Sequence, residues 1–119
     1  MSFVYDSSME KDEFLVSWKQ HLFSSSFGNI YTHFSENLVH AFCHKSFCHE
    51  NAKWSSVSYE RLEYVGDSVL QVLVTTDLFN QFPSLNEGEL SKMRSFLVSQ
   101  ESLVEISDLL ELENLLLVG

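Results

Sequence analysis

With 119 residues, 45% of them hydrophobic, the chain has apolar mass for one folded domain over residues 1–119 and too much for disorder. Seventeen acidic residues against seven basic ones give a net charge of −10. That sign repels nucleic acid at long range, so any nucleic-acid role must come from a local site, a metal ion or another domain.

One proline and four glycines leave few tight turns, and no Asn-Gly or Asp-Gly pair stands between alternating apolar runs. An all-α fold is predicted. A first amphipathic helix is expected over 11–23, where Phe14, Leu15, Trp18 and Leu22 recur three and four apart. The run Ser24-Ser25-Ser26-Phe27-Gly28-Asn29 breaks it. Ser35 caps a second expected helix reaching to about Cys48, followed by a polar surface connection over 51–58 that includes Lys53 and Trp54. On one helix Cys43 and Cys48 diverge by about 140°, which disfavours a disulfide and points to a reducing, cytoplasmic setting. The longest periodic segment covers 59–82, with Leu62, Val65, Val69, Val72, Leu73 and Thr76 on one broad face, and Pro83 ends it. Asn86-Glu87-Gly88-Glu89 opens a fourth helix and 101–110 forms a fifth. The apolar run Leu115-Leu116-Leu117-Val118 then stops at Gly119, which suggests that chain is missing. No apolar stretch is long enough to span a bilayer and no secretory start is present, so no membrane association is expected.

Chemistry concentrates on Glu60, Glu63 and Asp67. Helical steps of three and seven residues turn a side chain by about 300° and about 340°, so the three acids share one stripe, with neighbours about 5–6 Å apart. At an effective dielectric of about 20, each like-charge pair at that spacing costs on the order of 3 kcal/mol, less if fully solvated. A bridging cation, shared protons or open water makes the arrangement tolerable. Oxygen-only donors suit a hard ion such as Mg²⁺ or Mn²⁺, and a solvated acidic face is the bland alternative.

The full string Glu60-Arg61-Leu62-Glu63-Tyr64-Val65-Gly66-Asp67-Ser68-Val69-Leu70 resembles the E-R-L-E-F-L-G-D signature of the ribonuclease III family. Upstream, Ala41-Phe42-Cys43-His44-Lys45-Ser46-Phe47 is similar to that family's A-L-T-H-[RK]-S-[FY] segment. Downstream, Leu78-Phe79-Asn80-Gln81-Phe82-Pro83 and Glu87-Gly88-Glu89-Leu90-Ser91-Lys92-Met93-Arg94 resemble its Y-x-x-F-P and E-G-x-L-S-x-x-R blocks. The four blocks keep order and spacing from Phe34 to Leu117.

The resemblance implies the all-α ribonuclease III endonuclease-domain fold. It also implies a Mg²⁺-dependent endoribonuclease that hydrolyses double-stranded RNA during ribosomal, messenger and small RNA processing. Glu63 and Asp67 then hold the metal, while Glu60 and Glu87 assist at the cleavage centre and in RNA contact. The family's homodimer, in which signature helices meet, would seat Tyr64 in a pocket of the second subunit. The family's second acid pair, a D-x-x-E-A block beyond a G-K-G-E loop, has no counterpart before Gly119. Asp108 and Glu111 have the spacing but precede the loop and read as surface acids. The fold is therefore expected to be incomplete at its C-terminus, without a double-stranded-RNA-binding domain and with half a metal site, and cleavage by this polypeptide alone is doubtful.

Two rival readings stand beside it. His40, His44 and Cys48 recur every four residues, with Cys43 and His49 nearby, as a zinc site would require, though no second ligand pair has finger-like spacing. A non-catalytic dimerisation or RNA-scaffold module of the same fold is the other. Arg61 and Arg94 suit either RNA contact or ion pairing with the many acids.

Overall fold

The computed structural model describes residues 3, 6, 8–25 and 36–119. The expected break at 26–29 and the Ser35 cap lie outside the described residues. Among the described residues six α-helices follow in chain order, α1 (Lys11–Ser24), α2 (Glu36–His40), α3 (Lys45–Glu50), α4 (Glu60–Gln81), α5 (Glu87–Leu97) and α6 (Gln100–Leu110), and then a 3₁₀ turn at Leu112–Leu115. Among the described residues the sole strand-like feature is an isolated parallel bridge between Cys43 and Leu117, so the fold is all-α. Chain packing separates two compact units, Met1–Glu63 with Leu110–Gly119, and Tyr64–Leu109.

The first unit holds the core. Helix α1 buries Phe14, Trp18 and Leu22, the spacing of one helical face, against Val39, Phe42, Phe47, Trp54, Leu115 and Leu117. Its aromatic rings interlock: Phe14 stacks on Trp54 with centroids 4.6 Å apart, and Trp18 meets Phe42 at 5.6 Å. Both indoles have polar partners, since Trp18 Nε1 donates to the Leu115 carbonyl at 3.3 Å and Trp54 Nε1 to the Met9 carbonyl at 2.7 Å.

Two expectations fail in this unit. The helix expected to run on to Cys48 is broken after His40. The Leu117 amide donates to the Phe42 carbonyl at 2.8 Å and the His44 amide to the Leu117 carbonyl at 2.9 Å. Those long-range bonds form the bridge between Cys43 and Leu117 and give the apolar run at 115–118 its place, with Leu115 and Leu117 buried. Helix α3 restarts with His44 as N-cap, its Nδ1 accepting from the Ser46 amide at 3.2 Å. The connection at 51–58 is not a surface loop throughout either, because Asn51, Trp54 and Ser55 are buried. Trp54 is large and apolar with one donor, and the core supplies both a stacking partner and a carbonyl.

The second unit contains α4 beyond its first turn, α5 and most of α6. Helix α4 stops at Gln81, one residue before the Phe82-Pro83 pair that resists helical dihedrals. A capping box starts α5: the Glu89 amide donates to Asn86 Oδ1 at 2.9 Å while the Asn86 amide donates to Glu89 Oε2 at 3.0 Å. Leu78, 4% exposed, is the one fully buried side chain described in this unit. The apolar face of α4 that periodicity assigns to a core lies open, with Val65, Val69, Val72 and Leu73 each between 51% and 64% exposed.

Glu111 follows α6 with φ 55° and ψ 38°, the left-handed conformation in which a helix end prefers glycine. Glu111→Gly is expected to stabilise the chain by about 0.5 kcal/mol. Relief of a ~1 kcal/mol Cβ clash outweighs the extra freedom of an unfolded glycine. A rise of a few degrees in Tm is the check, and an unchanged or lower Tm counts against it.

Candidate active site on helix α4

Glu60, Glu63, Tyr64 and Asp67 all belong to α4, which runs from Glu60 to Gln81 without interruption. Continuous helical geometry sets the three carboxylates along one edge, with Tyr64 about 40° from Glu60 around the axis. All four side chains are exposed, Tyr64 to 80%. The helix starts well: the Glu63 amide donates to the Tyr59 carbonyl at 2.7 Å, and the Glu60 amide is 3.4 Å from the Ser58 hydroxyl. Glu60 and Glu63 lie in its first turn, where their charge complements the helix dipole. Glu63 also borders a shallow depression of about 310 Å³ with Ala41, Tyr59 and Leu62. The cation described beside Glu60 is Lys45, whose Nζ lies 3.9 Å from Glu60 Oε1. Both partners are largely exposed, so the pair contributes about 0–1 kcal/mol, and its value lies in placing one positive charge at the acidic edge.

Glu87 begins α5 in the second unit, where Ser91 Oγ donates to its Oε1 at 3.0 Å. It borders a cavity of about 420 Å³ whose apolar wall is Leu78, Phe79, Leu85 and Leu90. Arg94 lines the same cavity, and its Nη1 donates to Thr75 Oγ1 at 2.9 Å. Arg94 is thus given a hydroxyl partner, whereas the sequence offered RNA or an acid. The cavity itself had no sequence signal, because its walls come from two helices joined by a turn.

Two neighbouring exposed carboxylates, Glu63 and Asp67, form an oxygen donor set suited to a hard cation that keeps most of its waters. Among the described residues no three His, Cys, Asp or Glu side chains are gathered closely enough to hold a metal ion, so these two acids fit as part of a site and not as a closed cage.

The zinc alternative loses its premise. His40 ends α2, His44 caps α3 and Cys48 lies within α3, so the three do not share a helical stripe. Both cysteines are free, and the argument from divergence on one helix does not apply to them. Burial pushes the Cys43 thiol from 9.0 up to about 12, the opposite of a thiolate ligand. This carries a pH dependence. Between pH 9 and about 12 the unfolded chain releases a proton that folded Cys43 keeps, so stability falls as pH rises, by about 1.4 kcal/mol per unit for a full proton. Urea unfolding from pH 8 to 11 is expected to show this slope in the wild type and a shallower one in Cys43→Ala. Equal slopes would remove the assignment.

No described helix is long and apolar enough to cross a membrane. The sequence matches the Ribonuclease III domain family model over residues 60–118. It is 44% identical to Ribonuclease 3 of Anoxybacillus flavithermus over 82 residues, 69% of this chain and 34% of that protein. It is 38% identical to Ribonuclease 3 of Bacillus cereus over 98 residues, 82% of this chain and 40% of that protein. The chain therefore spans between a third and two-fifths of these relatives' length. Among solved structures it is similar to the nuclease domain of ribonuclease III from Campylobacter jejuni, described for structural flexibility in the region involved in dimer formation. The TM-score is 0.66 at 36% identity, covering 86% of this chain and 63% of that one.

Proposed function

Because the chain belongs to the ribonuclease III family, we propose that it carries the signature-helix part of a Mg²⁺-dependent endoribonuclease centre that hydrolyses double-stranded RNA. The observation that supports this best is the unbroken α4, which lines Glu60, Glu63 and Asp67 along one solvent-facing edge. In this reading Glu63 and Asp67 hold Mg²⁺, or Mn²⁺ in its place. When bound, the ion lowers the pKa of a coordinated water and offsets charge on the phosphate under attack. Glu60 and Glu87 assist: Glu60 is steadied by Lys45, and Glu87 is oriented by the Ser91 hydroxyl. The net charge of −10 makes the cation essential to approach as well, since an acidic edge meets an RNA backbone through a counter-ion.

Exposed Tyr64 supports a homodimer in which two signature helices meet, and the dimer-forming region of the Campylobacter jejuni domain supports it further. Duplex segments of ribosomal, messenger and small RNA precursors in the cytoplasm are the substrates this reading implies. A second reading, a non-catalytic dimerisation or RNA-scaffold module, is favoured by one observation, the absence of a third metal-ligating side chain beside the first two among the described residues.

The two readings part on one assay. The 119-residue protein is incubated with long duplex RNA in Mg²⁺ or in chelator, beside Asp67→Asn. Metal-dependent cleavage lost in the variant supports the enzyme. Duplex binding without cleavage supports the scaffold, and neither one refutes both.

A further inference from the structure

Opposite charges that line one apolar cavity without bonding to each other leave hydrogen-bonding capacity for a ligand placed between them. The cavity of about 420 Å³ between α4 and α5 has this character and lies wholly within the second unit. Glu87, Ser91 and Arg94 line it from α5 at steps of four and three residues, so they share one stripe. Its charged ends are about 10.5 Å apart along the axis. Each end is held by a hydroxyl group. Ser91 Oγ donates to Glu87 Oε1 at 3.0 Å, and Arg94 Nη1 donates to Thr75 Oγ1 at 2.9 Å. These bonds restrain both groups and use little of their capacity, since a carboxylate has about four acceptor sites and a guanidinium about five donors.

The space between the charges selects among ligands. Leucines make the wall apolar, and Phe79 adds a largely exposed ring. A flat aromatic body can stack there, provided that it turns a donor edge to Glu87 and an acceptor edge to Arg94. Among the RNA bases guanine carries both edges. Its N1–H and 2-amino groups donate side by side to a carboxylate, and its O6 and N7 accept the fork of an arginine. Adenine would set a ring nitrogen lone pair against the carboxylate, and the pyrimidines lack the O6–N7 edge. A compact amino acid has its two charges on one carbon, too close together to reach both ends of the stripe. With 17 acidic residues against seven basic ones, the chain disfavours a polyphosphate, so the base is the part recognised.

We propose that this cavity is a guanine-binding site, in which Glu87 accepts from N1–H and the 2-amino group, Arg94 donates to O6 and N7, and Phe79 stacks on the base. The site depends on the cavity and its two charges and not on RNA cleavage, so a chain that cuts no RNA leaves it standing.

The test titrates guanosine into the 119-residue protein, followed by calorimetry and by amide NMR shifts. Saturable binding is expected, with the shifts centred on Phe79, Leu90 and Ser91. Analogues probe each edge with the protein unchanged. Adenosine is expected to bind at least about tenfold more weakly than guanosine. Inosine, which lacks the 2-amino group, and 7-deazaguanosine, which lacks N7, should each lose about threefold to tenfold. The flexible chain of 6-aminohexanoate has both charges and no ring, and is expected not to bind. Glu87→Gln and Arg94→Lys should each weaken guanosine binding about tenfold, lysine keeping the charge without the fork. Glu105→Gln, the same loss of charge at an exposed position of α6, should leave it unchanged. A short unpaired RNA with one guanosine among uridines shows whether a strand also delivers the base, by the same dependence on Glu87 and Arg94. Equal binding of guanosine and adenosine, 6-aminohexanoate binding as well as guanosine, indifference to both variants, shifts centred elsewhere, or no binding of guanosine either free or in RNA would overturn the proposal.

Discussion

Trp54→Ala is expected to cost about 3–5 kcal/mol, enough to leave a large unfolded population, because domains of this size are stable by only about 5–15 kcal/mol. Trp54 is almost wholly buried, lies parallel to Phe14 with centroids 4.6 Å apart, and approaches Phe47 at 6.2 Å. Truncation would strip both ring contacts and strand the Met9 carbonyl that its Nε1 satisfies at 2.7 Å. Trp54→Phe separates the two contributions. It keeps an aromatic on Phe14 and loses the indole donor, so a cost of about 1–2 kcal/mol is expected. Val57, three residues on and exposed, is the internal control, with Val57→Ala expected within about 0.5 kcal/mol of wild type. Urea denaturation followed by circular dichroism reads all three. A Trp54→Ala cost below about 1 kcal/mol would mean the residue does not hold the first unit together.

That tryptophan also marks where sequence reasoning stops. Helices α1, α4, α5 and α6 were legible from local signals such as Phe14, Trp18 and Leu22 at helical spacing, Pro83 as a stop, and the acids of Asn86-Glu87-Gly88-Glu89 at a helix entry. Trp54 sits in a polar stretch with no period, so nothing nearby marks it as core. The segment from Val39 to Phe47 has apolar spacing close enough to a helical face to pass as one helix. Its break is imposed from far along the chain, by Leu117 bonding to Phe42 and His44. No pattern within ten residues encodes such a contact.

The candidate site divides the same way. The edge formed by Glu60, Glu63 and Asp67 needs only that α4 be helical, so spacing suffices to find it. The cavity beside Glu87 depends on how α5 turns back along α4, and the sequence was silent on it. The apolar face of α4 was legible as apolar. Its openness was not, because periodicity reports which side of a helix is oily and not whether anything lies against it.

If the proposed centre cuts RNA, Asp67→Asn is expected to lower metal-dependent cleavage by roughly 10³-fold. The change keeps shape and volume and touches an exposed side chain, so α4 should persist and Tm should move by less than a few degrees. In the proposed centre it removes one negative charge from the pair Glu63 and Asp67, and several kcal/mol of charge stabilisation go with it, at about 1.4 kcal/mol per factor of ten. Glu63→Gln should match it. Glu60→Gln and Glu87→Gln, which bear on the centre indirectly, should cost about 10–100-fold. Activity is not the sole readout. Mn²⁺ binding followed by electron paramagnetic resonance should weaken in Asp67→Asn and Glu63→Gln and stay near wild type in Glu87→Gln, whether or not the chain cuts RNA. Wild-type Mn²⁺ affinity in Asp67→Asn would break the link between the acidic edge and a metal. Four equal losses would assign the acids to a diffuse negative field, because a field depends on summed charge and a coordination site depends on which oxygens touch the ion.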